Sequence, residues 1–438
     1  MKTNFFTIIV FALIASVSFN DTKAQTITTL ASGFNSPIGI TRDLKGNLWI
    51  NEPGTGNNDS RVSLVKTSGK VFTAITGLPS FKDTAVGETD GTWRSYFLPD
   101  GRVLVVSGGG NDVNAASLLY FDFKGWTPGV DSPKTVADAR SVIHIGEFLI
   151  KNGFTDTNPF DVAWDSAGNI FVSDAAANAV LKVDQNDSIS VVAVFDPIPN
   201  NYTPFPPFID PVPTVIKWNP AGGFYLSYLT GFPFVPGIAS VVNLNENGDT
   251  STYASNLTQV VDMQVDSITG KVYVLQFGLY DTSFNPIPGS AQIIRIDSGG
   301  NHTIVQGFGP SAGMVTDGEG GFYVTSLITG EILHIADIAT GVSSVNSTSR
   351  FNIIASPNPF SEVTTIQFNI TNTSDVKFSV VNIMGEEVFS QNKGSYTAGS
   401  HNFLWNGKGT GERSLTPGMY FIKLITNEGI QTSGIIKN

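Results

Sequence analysis

The sequence predicts an all-β protein: a six-bladed β-propeller followed by a small C-terminal β-sandwich. The first observation behind this prediction is a unit of about 50 residues that recurs six times. The second is a switch, after a small polar stretch at 339–350, to short alternating strands separated by Gly and Asn turns. The third is composition, because 45 Gly and 31 Phe suit many short strands joined by tight turns.

Each repeat begins with an apolar strand, turns at Asp or Asn and Gly, and returns as a second apolar strand. The spacings between successive turn glycines are 55, 67, 54, 48 and 50 residues. Glycine fits there because a tight hairpin turn needs positive φ. Third and fourth strands follow, such as 180–184 and 191–195, which gives four antiparallel strands per blade. The turn glycines are Gly46, Gly101, Gly168, Gly222, Gly270 and Gly320.

The sixth repeat stops after its third strand, Ile332–Ile335, and lacks a fourth. The segment Thr26–Leu30 has the pattern of that missing strand. We therefore expect the N-terminal strand to pair with the last blade and close the ring. The chain contains no Cys, so no disulfide contributes to this closure.

The N-terminus predicts a signal peptide over residues 1–24. A basic start precedes a 15-residue apolar run at 5–19 and a small-residue cleavage site ending at Ala24. The run is shorter than the roughly 20 residues of a spanning helix, so no transmembrane anchor is expected. The predicted organisation is signal peptide 1–24, propeller 25–338, linker 339–350 and sandwich 351–438.

Four motifs give the C-terminal segment a family resemblance: SPNPF at 356–360, VVNIMGEEV at 380–388, WNGK at 405–408 and GMYFIKL at 418–424. The segment resembles the type IX (Por) secretion sorting domain, type A. The resemblance implies Bacteroidetes-type export, recognition by the secretion machinery, and release or surface attachment. An ordinary sugar-binding or adhesive sandwich is the alternative. The sorting-motif residues are Pro357, Asn358, Pro359, Gly385, Gly418, Tyr420 and Lys437.

Four segments of the repeat region, 158–163, 174–181, 191–195 and LTGFPFVPG at 229–237, resemble the ScyD/ScyE family. The resemblance runs from Thr26 to about Ala336 and implies a propeller whose repeats are similar to those of many NHL-like propellers. It does not imply pigment synthesis.

The net charge of the repeat region limits the classes of partner that it can bind. Residues 25–350 carry 30 acidic and 17 basic side chains, a net charge of −13, whereas residues 351–438 are neutral. Such a surface repels phosphate backbones, so no nucleic-acid partner is expected. Ca²⁺, cationic groups and neutral sugars are compatible with it.

Aromatic residues concentrate in long loops that share one face of the predicted propeller. Rigid loops on a fixed scaffold are common ligand sites, which predicts a site for an extracellular glycan, peptide or small molecule. The alternative is that these rings pack on one another and only cover the blades. The residues are Tyr202, Phe205, Phe208, Phe232, Phe234 and Tyr280.

Asp90, Asn158 and Asp161 form a hypothetical Ca²⁺ site near the axis, with Glu52, Asp174 and Asp262 as further oxygen donors. The alternative is that they cap turns. A metal-dependent lactonase of the gluconolactonase type shares the fold, but such enzymes carry a Glu-Gly-Pro metal motif where this chain has Asn35-Ser36-Pro37. A non-enzymatic binding module is therefore favoured over the lactonase.

Overall fold

We describe a computed structural model of the chain. It describes residues 25–84, 87–200, 206–266, 270–281, 284–336, 353–356, 360–370, 372–382, 387–411, 413–416, 418–426 and 429–437. The predicted signal peptide and linker lie outside the described residues, as do Tyr202, Phe205, Pro357, Asn358, Pro359 and Gly385.

Twenty-nine strands and two short helices are described between residues 26 and 336. In chain order they are β1 (Thr26–Ser32), β2 (Gly39–Arg42), β3 (Leu48–Glu52), β4 (Ser60–Val65), β5 (Val71–Leu78), β6 (Phe81–Lys82), β7 (Thr89–Asp90), β8 (Thr92–Phe97), β9 (Arg102–Ser107), β10 (Ser117–Asp122), β11 (Lys134–Thr135), a 3-10 turn (Val136–Asp138), β12 (Ala139–Ile143), α1 (Ile145–Lys151), β13 (Pro159–Trp164), β14 (Ile170–Asp174), β15 (Ala179–Val183), β16 (Ile189–Val194), β17 (Ile198–Pro199), β18 (Phe208–Ile209), β19 (Pro213–Trp218), β20 (Phe224–Tyr228), β21 (Ala239–Leu244), β22 (Thr250–Leu257), β23 (Val260–Val265), β24 (Val272–Gln276), β25 (Ala291–Asp297), β26 (Gly300–Phe308), β27 (Met314–Thr316), β28 (Phe322–Ser326) and β29 (Glu331–Ala336).

Six sheets of four or five strands account for most of these strands. Their orders are β2-β3-β4-β5 with β11 at the outer edge, β8-β9-β10-β12, β13 to β16, β19 to β22, β23 to β26, and β27-β28-β29-β1. Each predicted second strand is the second strand of one sheet. The six turn glycines all have positive φ, between 69° and 109°, as a tight hairpin requires.

The first strands of the six sheets contact one another in a closed cycle: β2 with β8, β8 with β13, β13 with β19, β19 with β23, β23 with β27, and β27 with β2. Apolar clusters fill the spaces between neighbouring sheets; one of them joins Leu104 and Leu118 of the second sheet to Val172 and Leu181 of the third. This radial arrangement is that of a β-propeller.

The predicted closure is confirmed. β1 pairs antiparallel with β29, with Ile27 opposite Ile335 and Thr26 opposite Ala336. Ile27 on this strand is exposed, whereas Ala31 and the following Phe34 are buried and anchor it. They pack in one cluster with residues of the first sheet and of β29, so β1 connects the first and last sheets.

The C-terminal residues form a second set of sheets. The strands are β30 (Ile353–Ser356), β31 (Thr364–Ile370), β32 (Ser374–Asn382), β33 (Glu387–Tyr396), β34 (Gly399–Trp405), β35 (Gly418–Thr426) and β36 (Gly429–Lys437). They make the sheets β30-β31-β34 and β33-β32-β35-β36, whose side chains share one core around Trp405. Of the described motif residues, Tyr420 is buried there, and Gly418 pairs with Lys437.

Candidate functional site

Aromatic residues from the loops of two neighbouring sheets form one cluster. It lies at the end of the sheets where the second strand of each connects to the third, which we call the loop face. The β20–β21 loop supplies Phe232 and Phe234, and the β24–β25 loop supplies Phe277, Tyr280 and Phe284. Phe234 stacks on Tyr280 at 5.2 Å between ring centroids, and Tyr280 stacks on Phe277 at 5.7 Å. Phe232 contacts Phe284 at 4.8 Å. Of the aromatic residues named from the sequence, the structure brings Phe232, Phe234 and Tyr280 together.

The cluster has an inner and an outer layer. Phe277 is buried and Phe234 and Tyr280 are half-buried, whereas Phe232 is 52 % exposed and Phe284 is 42 % exposed. Burial raises the pKa of Tyr280 to about 12, and the nearby charge of Glu88 adds to this. The inner rings pack on one another, as the packing alternative describes, while the outer rings face solvent. We call Phe232 and Phe284 the outer pair.

The Phe232 loop is held by its backbone. Leu229, Thr230 and Gly231 donate N–H groups to the carbonyl oxygens of Val212, Pro211 and Asp210 at 2.9–3.0 Å. Because Thr230 and Phe234 have φ of 70° and 58°, the loop turns tightly and presents Phe232 outward. The Phe232–Pro233 peptide bond is cis. Phe208, 59 % exposed, lies on β18 just before the anchoring segment.

Two of the three predicted metal ligands, Asp90 and Asn158, are neighbours at the loop-face ends of the second and third sheets. Asn158 Nδ2 donates to Asp90 Oδ1 at 3.0 Å. Asn158 Oδ1 already accepts from Trp93 Nε1 at 2.6 Å and from Gly109 N at 3.0 Å. Burial raises the pKa of Asp90 to about 6, and the negative charge of Glu88 contributes to this rise. The hydrogen bond from Asn158 lowers the pKa but does not offset these effects.

The third predicted ligand, Asp161, is separate from this pair. It is fully buried, accepts from Lys217 Nζ at 2.8 Å and from Ile216 N at 3.2 Å, and is hydrogen-bonded by Tyr96 Oη. Burial by itself lowers the pKa of Lys217, but the Asp161 carboxylate outweighs it and holds the pKa above its ordinary range. Asp161 therefore serves as a counter-ion of a buried lysine.

A second buried ion pair lies beside the first. Arg94 on β8 reaches across to β23, where its guanidinium lies 3.3 Å from Asp262 and donates to Val261 O at 3.0 Å. The same group lies 5.0 Å from the centre of the Phe160 ring. Sequence reasoning missed Arg94 and Lys217, although single basic residues inside apolar strands were a visible signal. Together with Asp161 and Asp262 they form a neutral group among the first strands.

The remaining acidic residues hold turns. Glu52 accepts from Asn35 N at 2.7 Å, and Asp174 accepts from Asn158 N at 2.7 Å. Gln276 accepts from Thr258 N in the same way. Each of these side chains lies at the end of a second strand and accepts a backbone N–H from the segment just before the first strand of the same sheet. They therefore cap turns, which is the alternative to a Ca²⁺ site.

A metal does not fit the predicted oxygen donors. The Asn158 carbonyl oxygen is engaged by two N–H donors, and Asp161 faces a lysine rather than Asp90. Within the described ranges, no group of three or more His, Cys, Asp or Glu residues is placed to hold a metal ion.

Comparison with known proteins identifies the C-terminal sheets. Residues 356–438 match the family of secretion system C-terminal sorting domains. This sorting domain directs the chain to the cell surface or the extracellular space through type IX secretion. No helix in the described part of the chain is long and apolar enough to span a membrane. No curated protein matches the chain.

Among solved structures, a protein of unknown function from Bacteroides thetaiotaomicron is 15% identical, with TM-score 0.49, covering 72% of this chain and 76% of its own. Virginiamycin B lyase from Staphylococcus aureus is 15% identical, with TM-score 0.43 and coverages of 72% and 99%. A gluconolactonase from Xanthomonas campestris is 12% identical, with TM-score 0.44 and coverages of 72% and 90%. At these values the likenesses assign no activity to this chain.

Proposed function

We propose that this chain is a secreted six-bladed propeller that binds an extracellular ligand through the outer pair, without catalysing a reaction. The six sheets and the closed cycle of first strands support the blade count. One observation carries the function: Phe232 and Phe284, each more than 40 % exposed, contact each other, and Phe232 packs edge-on against Phe234 of the inner layer. Large rings on a rigid support bury area at little entropic cost when a ligand docks.

Acidic residues near the cluster indicate which kind of ligand suits the outer pair. Glu88 is close enough to Tyr280 to influence its ionisation, and Asp83, Glu88 and Asp156 influence that of Asp90. The aromatic cluster therefore borders a negative region. A ligand that joins an apolar or aromatic group to a positive charge suits both features, and an extended peptide with Phe or Tyr beside Lys or Arg has this chemistry.

The test is fluorescence polarisation against a panel of short peptides that pair Phe or Tyr with Lys or Arg, with Glu-substituted copies as negatives. Phe232→Ala together with Phe284→Ala should weaken binding about tenfold or more, which corresponds to about 1.4 kcal/mol. Ile328→Ala is the matched control, because this 62 % exposed residue follows β28 on the same face but lies outside the cluster. Equal affinity for both variants would overturn the proposal.

A lactonase that acts without a bound metal is the second candidate because of Asp90. A carboxyl group with a pKa of about 6 is suited to general acid–base catalysis near neutral pH. Hydrolysis of aliphatic lactones by the purified chain, lost in Asp90→Asn, would favour this candidate. Peptide binding without turnover favours the binding module.

A further inference from the structure

The connection between β10 and β12, residues 123–138, differs from its equivalents in the other sheets. The matching third-to-fourth connections span only 66–70, 184–188, 245–249 and 298–299. Because strands alternate in direction, these connections lie at the opposite end of the sheets from the aromatic cluster. Long connections in compact domains are commonly functional.

This connection is built rigidly. Lys134 and Thr135 form β11, which pairs in parallel with Ile75 and Thr76 of the neighbouring sheet. Gly129 lies so close to Phe72 that a Cβ atom there would be 2.6 Å from the ring. Trp126 packs edge-on against Phe123 at 5.0 Å and donates its Nε1–H to Ser132 O at 3.1 Å.

A groove of about 450 Å³ opens along the connection, within the size range of small-molecule sites. Its floor and walls include Trp126, Asp122, Asp131, Asp138, Lys124 and Lys134. We call it the Trp126 groove.

Each carboxylate of the groove uses one oxygen to fix the loop. Asp122 accepts from Lys124 N, Asp131 from Thr127 N, and Asp138 from Thr135 N, at 2.7–2.9 Å. The second oxygen of each carboxylate has no hydrogen-bond partner among the described residues. The groove therefore holds fixed acceptors, with the two ammonium groups as donors.

We propose that the Trp126 groove binds a neutral saccharide. A sugar ring offers adjacent hydroxyl groups, which can donate to the carboxylates and accept from the lysines, and an apolar C–H face for the indole. Three carboxylates against two ammonium groups leave a net charge of −1 in the groove, which disfavours phosphate, sulfate and uronate ligands. The site is independent of the outer pair, since it lies at the other end of the sheets.

The test is isothermal titration calorimetry of the full chain with neutral gluco-, manno-, galacto- and xylo-oligosaccharides, and with a polyuronate oligosaccharide as the charged comparison. At least one neutral oligosaccharide should bind. Trp126→Ala should weaken that binding at least about tenfold, equivalent to about 1.4 kcal/mol. Lys124→Ala removes only an exposed side chain and should weaken saccharide binding about threefold. This second variant keeps the test valid if Trp126→Ala folds poorly.

Val130→Ala is the matched control, since Val130 lies on the same connection, is 79 % exposed and does not line the groove. Phe232→Ala should leave saccharide binding unchanged, which separates this proposal from the peptide site. The proposal is overturned if no neutral oligosaccharide binds, if the polyuronate binds more tightly, or if Lys124→Ala and Val130→Ala bind equally well.

Discussion

Buried charge among the first strands of the sheets is paired. Asp161 is held by Lys217 at 2.8 Å, and Asp262 lies 3.3 Å from Arg94. Removing one partner of such a pair typically costs about 3–5 kcal/mol, because the other charge stays buried. Asp90 differs, because its nearest described partner is the neutral amide of Asn158 and its charged neighbours are acidic.

Asp90→Asn should therefore stabilise the protein, and more so at high pH. Burial raises the folded-state pKa of Asp90 from 3.8 to about 6, so the folded state favours the protonated form. Stability from this group is fully present below about pH 3.8 and is lost as pH rises through about 6. The difference between the two pKa values corresponds to at most roughly 3 kcal/mol of the free energy of unfolding. The partial exposure of the side chain reduces this amount.

Thermal melts between pH 4 and 8 measure this effect. The melting temperature of Asp90→Asn should exceed that of the parent at pH 8, and the two should converge toward pH 4. The substituted amide can still accept from Asn158. A constant difference across this range would show that Asp90 does not titrate as described.

At the scale of elements, β1 is the strand that connects the last sheet to the first. Its residues Thr26 to Thr29 are exposed, so backbone pairing with β29 and the burial of Ala31 hold it in place. Phe34 N also donates to Gly330 O at 3.1 Å. The Leu30 carbonyl lies against Gly69 of the first sheet, where a Cβ atom would be 2.5 Å away. The strand thus touches both the last and the first sheet.

Deleting Gln25–Ala31 should destabilise the protein and promote association. The deletion exposes the edge of β29 and the fully buried Ile332, and unpaired strand edges recruit other chains. Several ladder bonds at ~0.5–1.5 kcal/mol each, with lost burial, amount to much of a typical stability of ~5–15 kcal/mol. Thermal melts and size-exclusion chromatography measure both effects.

Ile27→Ala is the control for the deletion, because Ile27 is 38 % exposed and its backbone pairing would be kept. This variant should melt close to the parent and remain a monomer. If the deletion also melts like the parent and elutes as a clean monomer, β1 does not close the ring.

At the scale of the molecule, the features that depend on short stretches of sequence could be predicted from the sequence. The turn glycines and the second strands fall in this class, because each is set within one hairpin. The missing fourth strand could be predicted because the sixth repeat stops after its third strand and Thr26–Leu30 has the pattern of the absent one. The Arg94–Asp262 and Tyr96–Lys217 contacts could not be predicted, because they join residues on different sheets far apart in the chain. The Trp126 groove was missed because the connection only makes a site when β11 fixes it to the neighbouring sheet.

The central claim is a division of labour, in which the C-terminal sorting domain directs export and the preceding sheets bind the ligand. The most direct measurement is the location and peptide affinity of a chain truncated after Ser349, expressed in a host with type IX secretion. We predict a folded protein that accumulates in the periplasm and binds peptides with the affinity of the full chain. Efficient arrival of the truncated protein in the medium, or loss of its peptide binding, would contradict the account.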